Sequence, residues 1–336
     1  MSKTKLAIIG IGRIGKIHLR NIISHFPKAS VVAVSDSQYP AEDFQRDYKD
    51  IFFSANAADA INHPDVEGVV ICTPTSSHSA MIEMALQAGK HIFCEKPIDL
   101  SLERTTSLVN KVKASGLKMM LGFNRRFDPD FSHARKSLLA GRIGDLQVVK
   151  ITSRDPGLPP IDYIKNSGGL FMDMAIHDFD MARYLMGKEV KTVYAQGLVL
   201  VDPAVGEAGD VDTALTTLIF EDGTYAVIDN SRKAIYGYDQ RIEVFGSKGM
   251  IQVENNQHNR NIVYDADGIH ESLPLDFFMD RYTNSYLSEM QHFIDMLVNN
   301  APSPVTGDDA LKATLIAVAA KKSVEEKRPV DISEIQ

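Results

Sequence analysis

The sequence predicts a doubly wound α/β domain with a parallel sheet, followed by an α+β domain built on an open, mainly antiparallel sheet. Three observations carry this. Short apolar runs alternate with helical patterns through the first third of the chain. A glycine-rich turn, Gly10-Ile11-Gly12-Arg13-Ile14-Gly15, joins the first run to the first helix. After about Gly122 the runs lengthen and alternate apolar with polar residues.

Leu6–Ile9 is a continuous apolar stretch, as a strand buried on both faces requires. In the turn that follows, Gly10 permits the tight bend, Gly12 lets a pyrophosphate approach the backbone, and Gly15 lets the helix pack closely on the sheet. The pyrophosphate sits on the free N–H groups at the start of the helix, around Arg13 to Asn21. Val31–Val34 reads as the second strand, and Asp36 lies 21 residues beyond Gly15. A carboxylate there accepts both hydroxyls of an adenosine ribose and repels a 2′-phosphate. The pattern is that of a Rossmann domain for NAD. Ser37 and Gln38 follow with no arginine near in sequence, so NADP would need one from elsewhere in the fold.

Further strands are predicted at Ile51–Phe53, Gly68–Cys72, His91–Cys94 and Lys118–Leu121, with helices at Ser77–Ala88 and Leu102–Ser115. The second half offers strands at Leu146–Thr152, Thr192–Val201, Thr213–Phe220, Thr224–Asp229, Gln240–Gly246 and Met250–Glu254. Glu221-Asp222-Gly223 and the run Gly246 to Gly249 read as hairpin turns. Helices are expected at Pro129–Ala140, Met174–Met186, Ser285–Asn299 and Gly307–Glu326. The expected division is residues 1–122 for the cofactor and 123–336 for substrate and oligomerisation, with the last helix packing back on the first domain.

A chain of 336 residues is long enough for two domains. A net charge of −8 without a basic block argues against nucleic-acid binding. No apolar run reaches the roughly 20 residues that span a bilayer, which argues against a membrane protein. The N-terminus runs straight into a strand, so no secretory leader is expected. Cys72 and Cys94, both in apolar runs, read as buried thiols of a cytoplasmic protein rather than a disulfide.

Several segments carry candidate chemistry. Glu95-Lys96-Pro97 follows a predicted strand, and in an open parallel sheet ligands bind beyond the carboxyl ends of strands. Lys96 there can serve as acid, base or oxyanion partner, or be a solvated lysine paired with Glu95. Thr73-Pro74 occupies the equivalent place one strand earlier, where His78 either lines the cofactor pocket or is a helix-cap or solvent-facing residue. Asp173 and His177 are four apart after Gly168-Gly169 and share one helical face. An aspartate beside a histidine fixes its tautomer and raises its basicity, as removal of a hydroxyl proton requires. Metal ligation needs a third ligand, none is visible, and no metal is expected; a surface pair without a role is the bland alternative. Arg125 and Arg126 bind a polar ligand or cofactor carboxamide, or pair with Asp128 and Asp130. Asp155 can hydrogen-bond a polyol, and Tyr236 can wall a pocket.

Taken together, the glycine turn with Asp36, Thr73-Pro74, Glu95-Lys96-Pro97, Asn124-Arg125-Arg126 and the segment from Gly168 to Asp178 resemble the glucose–fructose oxidoreductase/inositol dehydrogenase/rhizopine-catabolism (Gfo/Idh/MocA) family. The resemblance implies Lys96, Asp173 and His177 as the catalytic group and an outer sheet face that mediates a homotetramer. The runs 124–128, 153–156 and 277–282 look like those of the family's inositol 2-dehydrogenases. That likeness implies NAD-dependent oxidation of myo-inositol to its 2-keto product, with Lys96, Asp155, Asp173, His177 and Tyr236 at the substrate. The alternatives are another inositol isomer or a sugar, a redox-assisted transformation with NAD retained, and a nonenzymatic NAD-binding sensor.

Overall fold

Continuous apolar strands can only be satisfied between two layers of helix, and the first six strands are arranged in that way. The computed structural model describes residues 3–335 and divides into two units. The first comprises Met1–Phe127 with Asn284–Lys312, the second Asp128–Thr283 with Ala313–Gln336.

In the first unit, β1 (Thr4–Ile9), β2 (Ala29–Ser35), β3 (Phe52–Ser54), β4 (Gly68–Ile71), β5 (His91–Glu95) and β6 (Met119–Gly122) form a sheet in the order β3-β2-β1-β4-β5-β6. Every pairing is parallel. The order reverses between β1 and β4, which opens a crevice at their carboxyl ends. The crossovers are α1 (Arg13–His25), α2 (Ala41–Asp47), α3 (Ala57–Ile61), α4 (Thr75–Gln87) and α5 (Leu102–Ser115). Ser101 caps α5 by accepting from Arg104 N, and Gly116 ends it in the left-handed region at φ 71°.

The second unit holds α6 (Pro129–Leu139), β7 (Leu146–Arg154), α7 (Ile161–Ser167), α8 (Ile176–Met186), β8 (Val190–Leu198), α9 (Pro203–Glu207), β9 (Thr213–Phe220), β10 (Tyr225–Ser231), β11 (Asp239–Gly246) and β12 (Gly249–Val253). It continues through β13 (Ile262–Asp265), β14 (Gly268–Glu271) and α10 (Phe278–Arg281). Of the remaining elements, α11 (Thr283–Val298) lies almost wholly in the first unit, α12 (Gly307–Glu326) has residues in both, and β15 (Val330–Asp331) returns to the second. The large sheet runs β12-β11-β7-β10-β9-β8-β15. Along β9 the even positions Ala214, Thr216, Leu218 and Phe220 are buried and face the core, where α8 contributes Ile176, Phe179, Met181 and Leu185.

Both predicted hairpins form, β9 with β10 and β11 with β12. The exception to antiparallel order is β7, which pairs in parallel with β10 and is inserted between the two hairpins. The strand expected at Thr192–Val201 ends earlier, at Leu198. There the Asp212 carboxylate accepts from Leu200 N, Val201 N and Asp202 N and turns the chain into α9. The small β13–β14 hairpin has no counterpart in the sequence reading. All eight of its residues are exposed, so no apolar alternation marks it. Among the described residues no helix is long and apolar enough to cross a membrane.

Candidate active site

The glycine turn of the first unit is shaped by close approach. A Cβ on Gly15 would lie 1.9 Å from Gly10 O, so only glycine lets α1 start against the turn. Gly10 has φ +89°, and a Cβ there would meet Thr73 N at 2.9 Å. Gly12 is different: it is exposed, and a Cβ would meet nothing within 4 Å. This is open space beside the N-terminus of α1, which has no side-chain cap. Asp36 stands at the end of β2, where Oδ2 accepts from Ile11 N at 2.8 Å and Oδ1 from Gln38 N and Tyr39 N at 2.8 and 3.0 Å. The carboxylate is thus aimed at the turn by three backbone donors, with about one lone-pair site left for a ribose hydroxyl. Uncapped helix N–H groups, an open Gly12 and a fixed carboxylate fit a dinucleotide. Arg13 is exposed and Ile14 half-buried at the start of the helix.

Thr73-Pro74 and Lys96-Pro97 leave the adjacent strands β4 and β5. His78, buried at 1% exposure, ties them together: Nε2 lies 2.8 Å from Thr73 O and Nδ1 2.7 Å from Pro97 O. Its place is beneath the two turns rather than at a helix cap. Lys96 is half-buried. Glu95 turns inward, and its Oε1 lies 2.9 Å from Nε2 of the buried His18. Gly122 makes room for it, since a Cβ there would fall 2.7 Å from Glu95 Oε2. Sequence reasoning missed what surrounds this pair. The donor atoms of His18, Cys72 and Glu95 lie within 4.8 Å of one another. Burial, then Glu95, pushes the Cys72 thiol up, which makes it a poor metal ligand. Glu289 of α11 is fully buried, and burial, then Glu95, raises its carboxyl well above the usual range.

Arg126 lies in the 3₁₀ turn Asn124–Phe127, where its Nη2 donates to Asp309 Oδ1 at 3.0 Å. Burial raises the Asp309 carboxyl, but Arg126 and the donors of Thr306 outweigh it and hold it at about 2. Asp128, one of the partners considered for the arginines, caps α6 and accepts from the buried Arg281.

In the second unit, Gly168 and Gly169 take φ +85° and +78°, and the Asp210 carboxylate accepts from Leu170 N. The chain then makes one π-helical turn, Phe171–Ala175, before α8. Asp173 therefore sits in a π turn and His177 in the first turn of α8, rather than both on one regular helix; such π turns recur at functional sites. Both residues are half-buried. Next to His177, the fully buried Asp178 accepts from Asn230 Nδ2 of β10 at 2.8 Å and pins the start of α8 to the sheet. The Asp173 carboxylate accepts from Tyr163 Oη at 2.8 Å on Oδ1 and from Arg232 Nη1 at 3.1 Å on Oδ2. The same Nη1 lies 3.8 Å from Asp155 Oδ2. The unit thus brings Asp155 and Asp173 to one buried arginine that sequence reasoning did not single out. Tyr236 belongs to another network: its hydroxyl donates to Asp239 at 2.7 Å and accepts from Arg154 at 3.1 Å. Burial, then Asp239, raises its pKa.

Comparison with known proteins matches the described architecture. The family model for the NAD-binding Rossmann fold of the Gfo/Idh/MocA oxidoreductases matches residues 4–123, and that for their C-terminal α/β domain matches residues 135–332. The chain is 45% identical over 335 residues to a myo-inositol 2-dehydrogenase of Thermotoga maritima, covering 98% of this chain and 99% of the relative. It is 46% identical over 331 residues to an inositol 2-dehydrogenase of Rhizobium meliloti, again covering 98% and 99%. The crystal structure of scyllo-inositol dehydrogenase from Lactobacillus casei, with bound NAD(H) and scyllo-inositol, aligns with a TM-score of 0.91 at 34% identity. That alignment covers 99% of this chain and all of the other. The chain belongs to the Gfo/Idh/MocA oxidoreductase family.

Proposed function

We propose that the protein is an NAD-dependent dehydrogenase of cyclic polyols whose substrate is myo-inositol, oxidised to 2-keto-myo-inositol (scyllo-inosose) as a step of inositol catabolism. The observation that carries the reading is a complete dinucleotide turn ending in Asp36, in a chain 45–46% identical over nearly its whole length to inositol 2-dehydrogenases. Scyllo-inositol is the second reading, because the Lactobacillus casei relative acts on it.

NAD, when bound, supplies nicotinamide C4 as the hydride acceptor. Gly10, Gly12, Arg13, Ile14 and Gly15 hold the pyrophosphate at the α1 N-terminus, and Asp36 accepts from a ribose hydroxyl. Thr73, Pro74, Glu95, Lys96 and Arg126 complete the cofactor set, with His78 fixing the two turns. His177 removes the proton of the reacting hydroxyl, Asp173 sets the orientation of that imidazole, and Lys96 hydrogen-bonds the same oxygen as negative charge develops on it. Asp155 and Tyr236 contact further hydroxyls of the ring.

The protein acts as a homotetramer in the cytoplasm. Ile219, Tyr225, Val148, Phe245 and Met250 are paired in register across five strands, so they share one sheet face. Four of them are exposed large apolar side chains, the kind of surface that a second copy covers. Cys72 and Cys94 are both free thiols, in keeping with a reducing compartment.

The test is the initial rate of NADH formation, followed by nicotinamide absorbance, with myo-, scyllo- and D-chiro-inositol and glucose, using NAD and NADP in turn. Fast, NAD-dependent oxidation of myo-inositol is the expected result. NAD binding with no turnover on any polyol overturns the reading in favour of a sensor. Turnover without stoichiometric NADH release points to chemistry in which the cofactor is retained.

A further inference from the structure

Arg232 follows β10 and is 1% exposed, the largest fully buried side chain described. Its main chain is fixed, with Arg232 N donating to Asp212 O at 2.8 Å. Its Nη1 serves two carboxylates from separate elements, Asp173 at 3.1 Å and Asp155 at 3.8 Å. Among the described residues, its buried Nε and Nη2 have no hydrogen-bond partner. A guanidinium with unmet donors is costly to bury, so its retention is not explained by local packing. Two carboxylates sharing one cation are each favoured in the charged, acceptor-only form.

We infer that Arg232 is a positioning residue for the polyol: it couples Asp155 and Asp173 so that both stay ionised and face the ring hydroxyls as hydrogen-bond acceptors. The inference rests on the reading of Asp155 and Asp173 as substrate and catalytic groups. The charged and titratable groups around them come from several elements. Tyr163 of α7 donates to Asp173, and His177 follows on α8. Asp210 braces the Gly169–Leu170 turn, and Arg154, next to Asp155 in sequence, is engaged by Asp229 and Tyr236. Arg232 reaches both carboxylates from one buried nitrogen, 3.1 Å from Asp173 and 3.8 Å from Asp155.

The experiment compares full-length wild type with Arg232→Met and Arg232→Lys, with Asp155→Asn and Asp173→Asn as reference variants. It measures kcat and KM for myo-inositol and for NAD across pH, with thermal melts as a check on folding. In Arg232→Met the inositol KM rises on the order of tenfold and the acid limb of kcat/KM moves up by about one pH unit, because removing a buried positive charge lets the two carboxylates and the proposed base His177 hold protons more tightly. The KM for NAD stays within twofold, and Arg232→Lys recovers most of the acid limb. If Arg232→Met does not fold, the Lys variant carries the test: a wild-type acid limb with a raised inositol KM supports the inference, because the charge remains while its geometry is lost. An unmoved acid limb and inositol KM in a folded Met variant overturns it, as does a Lys variant no better than Met. If instead Asp155→Asn and Asp173→Asn leave inositol kinetics unchanged, the reading of the site fails, whatever Arg232 does.

Discussion

The glycine turn and the Asp173 cluster each hold a carboxylate in a fixed place, yet they are assembled in opposite ways. Every part of the turn lies between Gly10 and Tyr39, and its geometry is set by backbone: close approach at Gly15, open space at Gly12, and N–H groups holding Asp36. Asp173 is held by side chains, from Tyr163 ten residues away and Arg232 fifty-nine residues away. A site made of backbone within one βαβ unit tolerates little change in sequence and is easily recognised. A site made of long side chains from separate elements can be retuned at any one of them, which suits a family whose members act on different polyols.

The largest expected effect tests whether the two regions divide the work. His177→Ala removes the proposed base, so kcat falls by about 10²- to 10⁴-fold, while NADH binding, read by fluorescence titration, stays within twofold of wild type. Near wild-type turnover would remove His177 from the mechanism. Asp36→Ala is the mirror case and the next in size. Loss of a charged acceptor costs about 1.5–3 kcal/mol, so KM for NAD rises on the order of tenfold to a hundredfold with kcat largely kept, and the preference for NAD over NADP narrows. Three backbone N–H groups lose their acceptor as well, so a modest fall in melting temperature accompanies it. If Asp36→Ala lowers kcat as far as His177→Ala does, the division between the two regions is wrong.

The same contrast explains what could be read in advance. The parallel sheet was legible because each strand carries its own apolar run, and the two large hairpins because each carries its own turn. The insertion of β7 between β10 and β11 was not, since no local signal specifies a partner that lies more than seventy residues away in the chain. Asp173 and His177 stood out by their spacing, but Asp173 lies in a π turn that starts just after Leu170, whose N–H is held by Asp210 forty residues later. Arg232 carried no signal. It follows a strand with only Lys233 beside it, and nothing in its sequence neighbours indicates that it is buried against two acids.

The smallest effect shows that illegibility follows sequence separation, not which unit a residue belongs to. Beneath the well-marked cofactor turn, Glu289 approaches Glu95 from a helix almost two hundred residues later, and both of its carboxyl oxygens are buried without a hydrogen-bond partner among the described residues. Burial first, then the charge of Glu95, raises its pKa. A carboxyl whose folded pKa lies above its unfolded one favours the fold fully below the unfolded value, about 4.5, and that contribution is lost as pH rises through the folded value. Wild-type melting temperature therefore declines on the alkaline side partly because Glu289 is driven toward a charge it cannot solvate. Glu289→Gln removes that titration while nearly preserving the volume. The variant melts higher than wild type at alkaline pH, by roughly 2–4 °C for each kcal/mol relieved, and the gap closes as pH falls toward the ordinary carboxyl range. Parallel melting curves at all pH values would mean that Glu289 does not titrate in the folded protein over the range tested, and the buried Glu95–Glu289 pair would then be as silent in stability as it is in the sequence.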